Sequence, residues 1–299
     1  GLATDGDEIR VAQGVFTDVH MMGALTQVVY LTKSLVLRGG YATTDWSNSF
    51  PITRPTVLDA RRAGRVIYVA DNVAATMEGL AITGGLVQNE YGGGVHLGMG
   101  DSILRSNRVY SNEAAYSGIG GWGGGIYIAG ASPVLSANDI YSNVATGSGS
   151  AGGGIFVEGG SPIIEANQIY QNTTYGEGNG DLGGGAIYVS AGSAVIRGNR
   201  IFSNTTQTGT SGTGVHLEFA QAAVIEQNSI HHNTGSFRGG GIYVRTNNIT
   251  VANNLVYSNV LSGGGADCGG SCGGGIAYWF GSGVVQNNTI FGNSQDGIY

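Results

Sequence analysis

The chain has 299 residues, 56 of them glycine, and only 11% are charged. So much glycine without a Gly-X-Y period would suit a disordered chain, but 41% apolar residues in regular positions point to a packed solenoid instead. A net charge of -7 argues against nucleic acid, which wants a basic stripe, and no apolar run is long enough to span a bilayer.

Residues 1–90 are the least regular. Ile9–Val11, Val28–Leu31, Leu35–Leu37, Val57-Leu58 and Val66–Val69 read as short strands bounded by Gly, Pro and Asp. Gly39–Pro55 reads as a loop. Thr76–Thr83 looks like an imperfect copy of a later repeat, with Leu80 in its first place and Ile82 in its buried third place.

Residues 91–299 repeat one phrase. Asn138-Asp-Ile-Tyr-Ser-Asn143 recurs as 107–112, 167–172, 199–204, 228–233, 254–259 and 288–293, each with Asn at both ends and Val or Ile in third place. A glycine cluster and a short apolar run precede each copy, as in Gly-Gly-Gly125-Ile-Tyr-Ile. From the last Gly of a cluster to the first Asn is 13 or 14 residues, and between the two Asn always 5. From the second Asn to the next cluster the step varies between 4 and 16, so all length variation falls at one corner. Constant segments stack and variable ones protrude. Three inward columns, with Leu104, Leu135, Ile164, Ile196, Ile225, Val251 and Val285 as the second, imply three sheets around one core. The expected fold is all-β: a right-handed parallel β-helix over 1–299, a single domain.

The GGGIY…SPVLSANDIYSN pattern resembles the right-handed β-helix repeat proteins of the pectate-lyase-like superfamily. The pairing of Gly-Gly-Gly-Ile with Ile-Tyr-Ser-Asn is also similar to repeats of chlamydial polymorphic outer-membrane proteins. The resemblance covers Gly92–Tyr299 well and implies the fold. It implies no one activity, because such helices carry lyases, hydrolases, epimerases, adhesins and stalks.

The paired Asn columns are expected to be scaffold: Asn tolerates left-handed backbone angles, and its amide both donates and accepts along a stack. An outward column of His96, Tyr127, Phe156, Tyr188, His216 and Tyr243 is expected to form an aromatic stripe, joined by Trp279 from the outward position two residues further along its turn. Such a stripe would suit a long sugar chain, although stacked rings also stabilise a ladder without any ligand. A second outward column runs Tyr110, Tyr141, Tyr170, Phe202, His231, Tyr257, Phe291. His216, Glu218 and Arg245 fall on neighbouring turns and are the residues expected to carry catalysis if there is any: proton abstraction beside a sugar carboxylate with charge stabilisation. The acid clusters that bind calcium or cleave pectin in the resembled enzymes have no match on this stripe. Glu165, Arg197 and Glu226, sharing a column with Arg105, are expected to form a charge ladder.

Cys268 and Cys272, five residues apart counted inclusively in a glycine-rich loop, would close a disulfide in an exported protein; zinc is unsupported without further ligands. Gly-Asn-Gly-Asp181 resembles one fragment of a calcium-binding nonapeptide, but the true period is 26–34 residues, so a turn is expected and no cofactor or metal site, with Ca2+ as the alternative. With no initiator Met or signal peptide, and an apolar run beginning at the C-terminus, the chain is expected to be a piece of a longer protein. The reading that follows is an extracellular or cell-surface β-helix acting without catalysis, in adhesion, contact with a polysaccharide or surface glycan, or assembly by end-to-end self-association. The alternatives are a polysaccharide-active enzyme (lyase, epimerase or glycoside hydrolase) working beside the variable loops, and a purely structural spacer or filament subunit.

Overall fold

The computed structural model describes residues 3–22, 24–116, 120–176, 182–207, 211–262, 273–279 and 281–299. The described residues wind into a parallel β-solenoid with three ten-stranded sheets and one of seven strands. One turn shows the plan: Ile126–Ile128 lies in sheet I, Val134–Ser136 in sheet II, Asp139–Tyr141 in sheet III and Val144–Thr146 in sheet IV. Each strand pairs in register with its equivalent one turn on, as Ile126 with Ile155, Leu135 with Ile164 and Ile140 with Ile169. No helix among the described residues is long and apolar enough to cross a membrane.

The three expected inward columns line sheets I, II and III. Ile128, Leu135 and Ile140 are fully buried, and one core cluster runs from Leu31 to Ile276. Burying a side chain of this size is worth about 1.5–3 kcal/mol, which is why three-residue strands suffice. Sheet IV is an addition to the expected three. Its inward column is Val87, Ala114, Ala145, Thr174, Thr206, Gly235 and Leu261, mostly too small or polar to read as a buried apolar run. Thr174 answers its own polarity: its hydroxyl oxygen accepts from the Gly153 N–H at 3.0 Å and donates to the Gly184 carbonyl at 3.3 Å.

Sheet IV also explains the glycine clusters. The chain leaving it doubles back against its backbone, and a Cβ at Gly124 would lie 2.2 Å from the Val144 carbonyl oxygen. Gly123, one residue earlier, has φ +65° and opens the turn.

The Asn columns form two axial ladders. Asn138 donates Nδ2 to Leu104 O and to Asn167 Oδ1, each at 2.9 Å, and its backbone N–H reaches the same Oδ1. Asn143 does likewise with Val109 O and Asn172 Oδ1. Both columns are scaffold, and the amides hydrogen-bond along the axis as expected; only the left-handed angle is not theirs. The left-handed residue is the one before each Asn: Ala137 at φ 53° and Ser142 at φ 54°. Asn143 bends the chain from sheet III into sheet IV rather than launching the variable loop, which starts one strand later.

In the first ninety residues the named segments are strands at Glu8–Ala12, Leu25–Leu31, Val36–Tyr41, Thr56–Asp59 and Arg65–Val69, longer than expected at every place, with Leu35 left just outside the third. The expected loop at Gly39 therefore begins after Tyr41. Leu80 and Ile82 stand where expected: the Leu80 N–H donates to Asn107 Oδ1, and Ile82 pairs with Val109. His20–Met22 pairs antiparallel with Leu25–Leu31 at the edge of sheet I.

Candidate functional site

Sheet I carries the outward stripe on the strands that follow the glycine clusters. Tyr68, His96, Tyr127, Phe156, Tyr188, His216 and Tyr243 sit on successive turns, with ring centroids 4.6–5.6 Å apart. Tyr30 extends the stack by one further rung. The expected stripe is therefore real, but it is not an open track. Tyr127, Phe156, Tyr188, His216 and Tyr243 are between 0% and 3% exposed, and His96 is half-buried. The residue before each left-handed glycine folds over the rings: Tyr91 stacks on Tyr127 at 4.9 Å and Trp122 on Phe156 at 4.9 Å. Ala151 and Leu182 pack into the same cover. A sugar laid along these rings would first have to displace this roof. Burial sets the electrostatics too: it raises the Tyr127 phenol pKa, helped by the hydrogen bond to Glu158, and it lowers that of His96 to about 4, with the Arg65 charge adding to the effect.

His216, Glu218 and Arg245 are brought together. Glu218 Oε2 lies 2.9 Å from His216 Nε2, and Arg245 Nη1 donates to Glu218 Oε1 at 2.8 Å. The other ring nitrogen, Nδ1, faces the Ser211 carbonyl at 3.3 Å. His216 is fully buried and Glu218 only 3% exposed. Both imidazole nitrogens and both carboxylate oxygens are thus occupied by the protein itself. A general base needs a lone pair within reach of a substrate proton, and with Glu218 only 3% exposed the lone pairs left on its oxygens are closed off from solvent. Glu158, two turns from Glu218, is exposed and accepts the Tyr127 hydroxyl. At two strand spacings, roughly 10 Å, the two carboxylates stand at or beyond the upper limit for inverting glycosidases.

The second column is the open one. On sheet III, Tyr110, Tyr141, Tyr170, Phe202, His231, Tyr257 and Phe291 stack 4.7–5.3 Å apart with nearly parallel planes. All but His231 are half-buried or exposed. Each ring covers its neighbour's face, so edges and hydroxyls, rather than flat faces, meet solvent. His231 Nδ1 lies 2.8 Å from His232 Nδ1, and burial, the neighbouring His232 and the Arg200 charge lower the His231 pKa to about 4.

A family model described as "Right handed beta helix region" matches residues 44–271 and 185–299, which together span most of the chain. The chain belongs to the right-handed β-helix family. No curated protein and no solved structure matches it. The family supplies handedness and fold for this β-helix; the chemistry has to be read from its side chains.

The remaining expected residues are scattered. Trp279 lies on the last sheet I turn against Arg238, whose guanidinium carbon is 3.5 Å from its ring centroid. Cys268, Cys272 and Asp181 lie outside the described residues, so the disulfide and the Gly-Asn-Gly-Asp turn do too. Among the described residues no three His, Cys, Asp or Glu side chains gather to hold a metal. Arg197 pairs with Glu165 at 2.7 Å, and the alternating ladder is better developed earlier, where Arg38 and Arg105 both bind Glu78. Exposed pairs of this kind are each worth under about 1 kcal/mol.

Sequence reasoning missed the roof, an arginine beneath it and an arginine within it. Tyr30 and Tyr68 were legible, because they alternate with inward residues in segments already read as strands. Arg65 was not: it is 1% exposed and tethers the first roof loop, donating to Gly92 O, Tyr91 O and Glu90 Oε2. Arg238 takes a roof position that is Tyr, Trp, Ala, Gly or Ser on earlier turns, and only alignment on the left-handed glycine would have exposed the exception.

Proposed function

We propose that this β-helix acts without catalysis at an extracellular or cell surface, contacting glycans or other surface molecules through the open face of sheets III and IV. The observation that carries the reading is the contrast in availability. The groups able to move protons are hydrogen-bonded to one another beneath a roof, whereas Tyr110, Tyr141 and Tyr170 offer a regular, half-exposed row of phenol edges. Thr173 and Thr205 on sheet IV continue that face with hydroxyls, which donate and accept as sugars do. The likeness of the repeats to those of chlamydial polymorphic outer-membrane proteins also supports a surface role.

The test is a glycan array read together with a turnover assay. Retention of the intact chain, lost in a Tyr110/Tyr141/Tyr170 triple Ala variant and unaccompanied by new reducing ends or unsaturated uronate absorbance, is the expected result. Turnover of any polysaccharide would overturn it. The assembled His216–Glu218–Arg245 cluster favours a polysaccharide-active enzyme as the second reading, and turnover abolished by Glu218→Gln would establish that instead. Filaments seen by electron microscopy, with no retention on glycans, would favour a spacer or filament role.

A further inference from the structure

The roof is apolar or small over most of the stripe, because what it covers is aromatic. At one turn it is cationic. Arg238 precedes the left-handed Gly239, in the place held by Tyr91 and Trp122 on earlier turns. By the pattern of those turns, Arg238 covers the rung after Tyr243. There the stripe carries Ala277 instead of a ring.

Arg238 is only 8% exposed. Arg65, the arginine buried beneath the roof, has Glu90 and two carbonyls as acceptors. Arg238 has no such acceptor: among the described residues it makes no ion pair, and its Nε is buried without a hydrogen-bond partner. The hydroxyl of Tyr243 is buried and makes no hydrogen bond of good geometry either. The two residues are neighbours: a Cβ at Gly239, next to Arg238, would lie 2.6 Å from the Tyr243 Cβ, and the approach of the Arg238 N–H groups, then its charge, lowers the Tyr243 phenol pKa against the burial that raises it. Among the described residues, Glu218, the carboxylate whose charge is felt at Tyr243, is already engaged by His216 and Arg245. A buried cation without a counter-charge is among the most unfavourable arrangements a fold can hold, and so is a buried donor without an acceptor. One anion beside both would resolve the two faults together.

We propose that Arg238 and Tyr243 form a binding site for a small carboxylate anion at the corner between sheets IV and I. The guanidinium packs against Phe237 and Trp279, at 4.3 and 3.5 Å from the ring centroids. Rings against a guanidinium leave its in-plane N–H edge for the ligand, and that edge matches the two oxygens of a planar carboxylate. The Tyr243 hydroxyl supplies a third donor. The site is independent of the function proposed above: it needs neither glycan binding nor turnover.

The test is thermal unfolding of the full chain at constant ionic strength, titrated with acetate, and separately with sulfate and with phosphate. Acetate is expected to raise Tm in proportion to the logarithm of its concentration once the site saturates, and to shift the fluorescence of Trp279, a shift absent in Trp279→Phe. Arg238→Met should abolish the acetate response and, in acetate-free buffer, melt no lower than the parent, because it removes an uncompensated charge. Tyr243→Phe should weaken the response without abolishing it. A parent indifferent to acetate, with Arg238→Met melting lower, would mean that a carboxylate of the chain itself already pairs with Arg238, and the proposal would fall. An equal response to sulfate or phosphate would overturn the assignment to carboxylate.

Discussion

Sheets I and III carry the same device to opposite ends. Over seven or more successive turns each bears one aromatic residue per turn, from Tyr30 to Tyr243 on sheet I and from Tyr110 to Phe291 on sheet III, stacked at about the spacing of parallel strands, yet the sheet I rings are mostly sealed and the sheet III rings are half open. The difference lies in neither the rings nor their strands. After sheet III the chain passes through a bend into sheet IV and stays clear of the rings behind it. Before sheet I it must return from sheet IV through a glycine cluster, and the residue ahead of that cluster folds over the stripe. The corner that varies in length is therefore also the corner that decides whether an aromatic ladder becomes core or surface.

The largest expected effect separates the two ladders directly. Phe156 is 2% exposed between Tyr127, Tyr188 and Trp122, so Phe156→Ala should cost about 3–5 kcal/mol, as for other fully buried aromatics. Phe202 is half-buried on sheet III, with Tyr170 and His231 on its faces, and Phe202→Ala should cost about 1–2 kcal/mol, mostly lost ring contact. Urea midpoints of the two variants measure this. Equal shifts would mean that the roof does not hold in solution.

How far the molecule could be read from its sequence follows the same division. The inward columns of Ile, Val and Leu were legible because an apolar residue at a fixed place in every turn has one common cause, burial against the same core. The Asn ladders were legible because fourteen asparagines in register can satisfy one another along an axis. Sheet IV was not, since Ala145, Thr174 and Thr206 carry no apolar pattern; their smallness serves the close approach of the glycine clusters. The roof was not legible either. The alternation of a strand gives the direction of a side chain but says nothing of what another segment lays on top of it. So the stripe residues were correctly placed on the outward face without any sign that another segment covers them, and His216, Glu218 and Arg245 were correctly grouped without any sign that they bind one another in a buried cluster.

Acidification probes the closed ladder from inside. His96 is stacked between Tyr68 and Tyr127, and burial holds its pKa near 4 in the folded chain. The unfolded value is about 6.5. Between those two pH values the unfolded chain binds the proton and the folded chain does not. The contribution of neutral His96 is therefore whole above about pH 6.5 and is lost progressively as the pH falls toward 4. His96→Phe should flatten the pH dependence of the urea midpoint across that window. His231, lowered for related reasons, still contributes in the variant, so some slope should remain. An unchanged slope would place His96 in contact with water and the roof above it open.

The smallest effect concerns the bends that feed each ladder. Gly123 and Ala137 both have left-handed backbone angles, at φ 65° and 53°. At Gly123 a Cβ would lie 2.4 Å from the Ile126 carbonyl oxygen, so the corner under the roof demands glycine for space as well as for angle. At the bend before sheet III the backbone angle is the only constraint. Gly198 takes the equivalent place on a later turn, and a Cβ there would meet nothing closer than 3.9 Å. Ala137→Gly should therefore relieve the left-handed strain of about 1–2 kcal/mol, less the roughly 0.5–1 kcal/mol that glycine's added freedom gives the unfolded chain. The net is neutral or slightly stabilising, whereas Gly123→Ala should be clearly destabilising. Opposite signs at two bends with the same backbone angle would locate the requirement for glycine in the crowded return path beneath the roof, which is where the two ladders part.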